Sequence, residues 1–182
     1  MKLFKRFSKH LANLLPIIAI QQIKNEWIIT VLPEHLLICM NFLKKHIGLQ
    51  YTLLSCISGV DFLGKDYRFC VAYDLLSLTF AQRLRVKVFL NEITPVTSVV
   101  SVYPCANWWE REVWDMYGIF FENHPDLRRI LSDYGFEGYP MRKDFPLYGY
   151  IELRYDENHK RIVAEPVEFA QEFRFFDFET PW

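Results

Sequence analysis

Glu110, Arg111, Glu112, Asp115 and His124 are charged or titratable side chains of the types found at sites that move protons. On a helix, Glu112 and Asp115 would share a face, so two like charges would lie close and one carboxyl pKa would rise. With His124 near them in sequence, they would make a general acid/base site of the kind a hydrolase uses. A structural reading competes with this one and is preferred. Arg111 and Asp115 are four apart, and their pairing along the helix is worth about 0.2–0.5 kcal/mol if exposed. Arg111 would then neutralise the carboxylates.

Other reactive types lack the spacing that chemistry needs. Cysteines stand at 39, 56, 70 and 105, with no C-x-x-C pair and no histidine at a zinc-ligand offset. An iron–sulfur cluster wants closely spaced thiolates from one loop, so reduced thiols in a core are predicted instead. There is no G-x-G-x-x-G and no P-loop for a nucleotide. His35 and His46 read as surface or capping residues. Arg83, Arg85 and Lys87 alternate with Leu84, Val86, Val88 and Leu90, giving a strand with one buried and one basic face. That basic row could bind an anion or RNA, but the net charge of -1 lacks the excess a nucleic-acid binder carries. Solvated or partner-paired charges are the preferred reading.

The element that must position Glu110, Arg111, Glu112 and Asp115 is a helix over 106–117. Asn107 is its candidate N-cap and Gly118 its stop. Trp109, Val113 and Met116 would face a core, with Glu110, Trp114 and Tyr117 in the adjacent row. Ile119 to Phe121 is a short apolar run, and Pro125 with Asp126 should open one helical turn through Leu127, Ile130 and Leu131. Beyond Asp133, the residues Gly135, Gly138, Pro140, Pro146 and Gly149 forbid a long regular element. The aromatics in that stretch, Tyr134, Phe136, Tyr139, Phe145 and Tyr148, must be covered by the domain or by a partner.

Upstream, residues 1–15 read as a basic amphipathic helix, either a cleaved transit peptide or a helix that docks on a neighbour. Ile17 to Ile20 is apolar but far short of the roughly 20 residues that span a bilayer. Trp27 to Val31 suits a strand, and Pro33 starts a helix with the stripe Leu36, Leu37, Met40, Leu43 and Ile47, ending before Gly48. Strands follow at 51–57 and 67–75, with a break at Gly59 and Asp61. Ser98 to Tyr103 suits either a strand or a helix, and a short helical turn before Pro104 is the preferred reading. Tyr150 to Tyr155 and Arg161 to Ala164 pair as a hairpin.

The fold class implied is α+β: a two-layer domain, its mainly antiparallel sheet packed by helices, followed by a long irregular C-terminal extension. Its parts are an N-terminal segment over 1–24, a core domain over 25–122 and a partner-binding tail over 123–182. Aromatics reach 17% of 182 residues, an excess that fits a subunit of an assembly. Charge is uneven: residues 1–50 hold seven Lys/Arg against two Asp/Glu, and residues 151–182 hold four against eight.

The runs EREVWDMYGIFFENHPDLRRIL, DYGFEGYPMRKDFPL and EFRFFDFETPW together resemble the thirty-kilodalton subunit family of respiratory complex I, the NADH:ubiquinone oxidoreductase. This family is called NADH dehydrogenase subunit nine in organelles and the C subunit in bacteria. The likeness extends from about residue 25 to Trp182 and thins before it. The resemblance implies a non-catalytic subunit of the peripheral arm, in the quinone-reducing module. Its neighbours would be the forty-nine-kilodalton subunit and the subunit with the terminal iron–sulfur cluster. NADH, FMN, iron–sulfur clusters and ubiquinone would belong to the holoenzyme, with none bound here and no nucleic acid. The implied place is the matrix side of the mitochondrial inner membrane, or the cytoplasmic face of a bacterial plasma membrane, with membrane association indirect. The chain is short for a member with a removable leader, which favours a retained N-terminal helix. Glu110, Arg111, Glu112, Asp115, His124, Arg128, Arg129, Arg142, Lys143 and Asp144 are then motif residues expected in partner contacts or ion pairs between segments. Phe145, Phe173, Phe175, Phe176, Phe178 and Trp182 would be apolar anchors.

Overall fold

A computed structural model describes residues 11–24, 26–172, 174 and 176. The chain divides into two compact units, Met1–Asp144 and Phe145–Trp182. The division falls at 144/145 rather than at 122/123, because residues 124–144 are hydrogen-bonded back onto the first unit.

The first unit is built on strands β1 (Ile17–Ile23), β2 (Glu26–Val31), β3 (Leu53–Asp61), β4 (Phe69–Ser77) and β5 (Gln82–Leu90), in the order β1-β2-β5-β4-β3. All neighbours are antiparallel except β2 and β5, which run parallel from Trp27↔Leu84 to Thr30↔Lys87. The α+β class therefore holds, with a mixed sheet. Alternation dictates the buried face: Phe69, Val71, Tyr73 and Leu75 of β4 lie beside Leu84, Val86, Val88 and Leu90 of β5, all buried. Residues 17–23 pair with β2, so the end of the expected N-terminal segment is sheet. Leu11 and Leu15 also enter the core, and the described end of the expected amphipathic helix packs on this chain. Residues 1–10 lie outside the described residues.

A 3-10 turn at Pro33–His35 leads into α1 (Leu36–Lys45), whose Leu36, Cys39, Met40 and Leu43 are buried. Ile47 is exposed beyond the helix end. Gly59 does not break β3, which runs on to Asp61. A Cβ at Gly59 would stand 2.5 Å from Tyr117 Cδ2, so the missing side chain lets the next helix close on the strand.

That helix is α2 (Ala106–Tyr117), which packs along β3. Its bounds match the sequence reading, but its N-cap is Cys105, and Asn107 lies in the first turn. Gly118 adopts φ 74°, and its N–H donates to Trp114 O at 2.9 Å, the left-handed stop that glycine permits. Two short strands flank α2, β6 (Val96–Thr97) and β7 (Phe121–Glu122), paired in parallel. Between β6 and α2, Tyr103 N–H donates to Val99 O, closing the expected turn. The helical turn expected after Pro125 is absent; residues 124–133 are irregular, held by the side chains described below.

The second unit contains a hairpin, β8 (Ile151–Asp156) with β9 (Arg161–Pro166), as the sequence suggested. Phe145 stacks edge-on against Tyr150, and Tyr148 against Phe169.

Candidate functional site

Helix α2 carries polar residues into the interior on two sides. Glu110 is fully buried. Its Oε2 accepts from Ser98 Oγ at 2.6 Å and its Oε1 from Val99 N–H at 2.7 Å, so the carboxylate anchors the turn that precedes the helix. His124, whose side chain is also fully buried, lies with Nε2 3.7 Å from Glu110 Oε2. Its Nδ1 accepts from Asp126 N–H at 3.1 Å, so the ring proton sits on Nε2 and is donated to Asn107 O at 3.1 Å. Tyr73, whose buried hydroxyl has no hydrogen-bond partner among the described residues, feels the Glu110 charge. Burial pushes the Glu110 carboxyl up to about 7, against the opposing bonds from Ser98 and Val99.

On the other side, Asp115 is caught by the loop that follows. Its Oδ2 accepts three successive backbone N–H groups, Ile130 at 3.1 Å, Leu131 at 2.7 Å and Ser132 at 2.9 Å. The Ser132 hydroxyl and Arg129 Nη1, the latter at 3.3 Å, complete the shell. Burial would raise this carboxyl, but the Ser132 hydroxyl and the three N–H groups outweigh it and hold it below the ordinary 3.8. Arg129 also donates to Gly138 O at 2.9 Å and lies over the Tyr139 ring.

A third anchor ties residues 139–144 down. Arg142 Nε donates to Tyr117 O at 2.7 Å, and Met141 N–H to Met116 O at 3.1 Å, which satisfies the last carbonyls of α2 with a cation beside them. The Arg142 guanidinium is stacked between Phe69 and Tyr139. Asp61 accepts from Lys143 N–H at 2.8 Å and from Arg68 Nε at 2.9 Å, and Arg68 pairs with Asp144 at 2.8 Å. Arg68 lowers the Asp61 carboxyl below its usual range.

Two expectations are corrected here. Arg111 does not pair with Asp115; its Nε donates to Arg128 O at 3.2 Å, and Asp115 prefers the loop because four N–H and O–H donors outcompete a single ion pair. Nor do Glu112, Asp115 and His124 converge. Asp115 is turned into the loop with a lowered pKa, His124 meets Glu110 instead, and half-buried Glu112 makes no hydrogen bond or ion pair among the described residues. The carboxyl that is raised is Glu110, and no solvent reaches it. Arg128 pairs locally with Asp126 at 2.8 Å, both more than half exposed. Phe145 is half-buried and Phe176 exposed; Phe173, Phe175, Phe178 and Trp182 lie outside the described residues.

The thiols are divided. Cys39 and Cys70 are buried and pushed up to about 11 by that burial, Cys56 is half-buried beside Asp74, and Cys105 is exposed rather than in the core. Among the described residues no three His, Cys, Asp or Glu side chains gather as a metal site, and no helix is long and apolar enough to cross a membrane. A dent of about 30 Å³, lined by Glu26, Asp74, Arg83 and Arg85, has room for about one water. Arg85 is committed there to Asp74 at 2.6 Å, so part of the basic strand face is neutralised within the chain.

Sequence reasoning missed Ser98, Asp61, Arg68 and Ser132. Asp61 was read as a strand break, although the strand pair it shares with Phe69 brings Arg68 beside it. Ser98 and Ser132 gave no signal beyond being hydroxyls in turns.

The family described as "Respiratory-chain NADH dehydrogenase, 30 Kd subunit" matches residues 29–151. NADH-ubiquinone oxidoreductase subunit 9 of Prototheca wickerhamii is 53% identical over 159 residues, 87% of this chain and 83% of that protein. NADH dehydrogenase [ubiquinone] iron-sulfur protein 3 of Solanum tuberosum is 54% identical over 149 residues, 82% of this chain and 78% of its own length. Among solved structures, a chain of the membrane-bound sulfane sulfur reductase, an archaeal respiratory membrane complex, superposes with a TM-score of 0.67. It shares 22% identity over 81% of this chain and 87% of that one, a likeness of fold. Every segment that Asp61, Glu110 and Asp115 tie together falls inside the matched residues, and the chain belongs to the family of the 30-kilodalton subunit of the respiratory-chain NADH dehydrogenase.

Proposed function

We propose that this chain is a non-catalytic subunit of the peripheral arm of proton-pumping NADH:ubiquinone oxidoreductase, in its quinone-reducing module. It scaffolds the cofactor-bearing subunits while electrons pass from NADH to ubiquinone. Its neighbours are the forty-nine-kilodalton subunit and the subunit with the terminal iron–sulfur cluster; NADH, FMN, the clusters and ubiquinone are held by other chains. The chain lies on the matrix side of the mitochondrial inner membrane and reaches the membrane through partners.

One observation carries the reading beyond family membership. In the β8–β9 hairpin, Ile151, Leu153, Tyr155 and Ile162 share one face by register and are all exposed, while Glu152, Arg154 and Glu165 share the other. A lone two-stranded hairpin is marginal in water, and a face of this composition is normally buried. A scaffold completed by neighbouring chains accounts for both facts.

The test is native electrophoresis of membranes with peptide identification, on wild type and on Leu153→Asp, Glu112→Gln and His124→Ala. Loss of assembled complex with a proportional loss of quinone reductase activity supports scaffolding. Activity lost from a fully assembled complex would overturn it, since chemistry would then reside on this chain.

A further inference from the structure

Arg111 is 5% exposed and permanently charged, yet no carboxylate of the described residues lies within ion-pair distance of it. Only its Nε has a protein acceptor, the Arg128 carbonyl at 3.2 Å. Its guanidinium carbon stands 5.0 Å from the centre of the Trp108 ring, one turn back on α2, and that indole is 65% exposed. Asp126 acts on Arg111 only through space and is itself paired with Arg128 at 2.8 Å. Two arginines thus share one carboxylate, and the one that is more buried goes without.

The two terminal nitrogens have no acceptor among the described residues and still touch solvent, so they are open to a group from outside the chain, while the rest of the side chain is buried. The geometry points to a docking site in which Arg111, floored by Trp108, receives a carboxylate from a neighbouring polypeptide chain. The terminal nitrogens of arginine match a carboxylate in a two-pronged bond. Trp and Arg side by side are the composition of interface hot spots. A phosphate fits less well, because its second charge would face Asp126 at the rim, whereas a single carboxylate leaves the Asp126–Arg128 pair intact. The inference rests on the proposed function, which supplies the neighbouring chains, and it names the chemistry by which one of them is held.

Two measurements on the assembled membrane complex test it. In wild type, radical oxidation of Trp108 should be several-fold slower in the complex than in the free chain. In Arg111→Lys, carbodiimide should couple the amine introduced at position 111 to an Asp, Glu or C-terminal carboxylate of another subunit, a product that phosphate cannot give. Trp108 oxidised equally fast in both states would overturn the inference, and so would an amine coupled only to Asp126. Peptide identification separates the two levels. A chain found in the complex with Trp108 open sinks the docking site alone, while a chain absent from the complex sinks the proposed function and the docking site together.

Discussion

Raising the pH from about 5 to about 8 should weaken the first unit at Glu110. The carboxyl titrates near 7 in the fold and near 4.5 in an unfolded chain, so between those values the native state holds a proton that the unfolded state has lost. Stability is therefore greatest below 4.5, falls through the interval and is fully reduced above 7. At about 1.36 kcal/mol per pH unit the loss comes to about 3 kcal/mol. Asp61 and Asp115 titrate below the ordinary carboxylate range and stay out of this window. The groups facing Glu110 are Ser98 Oγ, Val99 N–H, His124 Nε2 and the Tyr73 hydroxyl. Glu110→Gln keeps an oxygen for Val99 N–H and removes the charge, so its stability should be flat where wild type declines. Urea unfolding of the full chain, followed by tryptophan fluorescence at a series of pH values, reads this as a midpoint fall of about 1–2 M in wild type alone, for a slope of about 2 kcal/mol/M. Equal slopes in the two proteins, or a wild type that gains stability toward pH 8, would refute the reasoning.

Asp115→Asn leaves one oxygen to serve three N–H groups. It should cost about 1–3 kcal/mol and speed hydrogen exchange at Ile130, Leu131 and Ser132. Arg68→Ala strands Asp61, which is 3% exposed, and should cost about 3–5 kcal/mol in urea unfolding. Asp61 contributes stability above 3.8 that is lost as pH falls through its lower folded value, so acid unfolding of wild type should begin below about pH 4 and shift upward in this variant. Gly118→Ala puts a Cβ 2.6 Å from Tyr139 and 2.8 Å from Arg142 Nη2 at φ 74°, for a loss of about 1–2 kcal/mol from the backbone alone. The same variant should release the Arg142 bond to Tyr117 O, visible as faster exchange at Met141 N–H.

Periodicity made β2, β4, β5 and both helices readable but not β1, because burial on one face leaves a trace at every second or every third to fourth residue and β1 is largely exposed. Strand β5 and helix α2 were legible for that reason. The loop over 124–144 was not. Phe136 and Tyr139 are half-buried beside single polar anchors while Tyr134 stays exposed, and an aspartate accepting three amides looks in sequence like any other helix aspartate. Arg111 and Asp115 illustrate the limit: spacing along the helix says they can meet, and only the returning loop decides that they do not. Glu110 was visible as a motif residue, but its burial follows from Ser98 and Val99, which a one-dimensional pattern does not connect to it. The site as a set of ties between distant segments is a product of topology.

The parallel join between β2 and β5 sets an order on the folding of the first unit. As the polypeptide leaves the ribosome, the opening hairpin of β1 and β2 exists well before its lateral neighbour, and β5 arrives only after more than fifty further residues. Until then the apolar edge of β2 has no native strand to zip against and is open to wrong pairings. Premature release of the nascent chain before Leu90 should therefore yield aggregating fragments, and translation pauses placed just beyond that residue would favour soluble product.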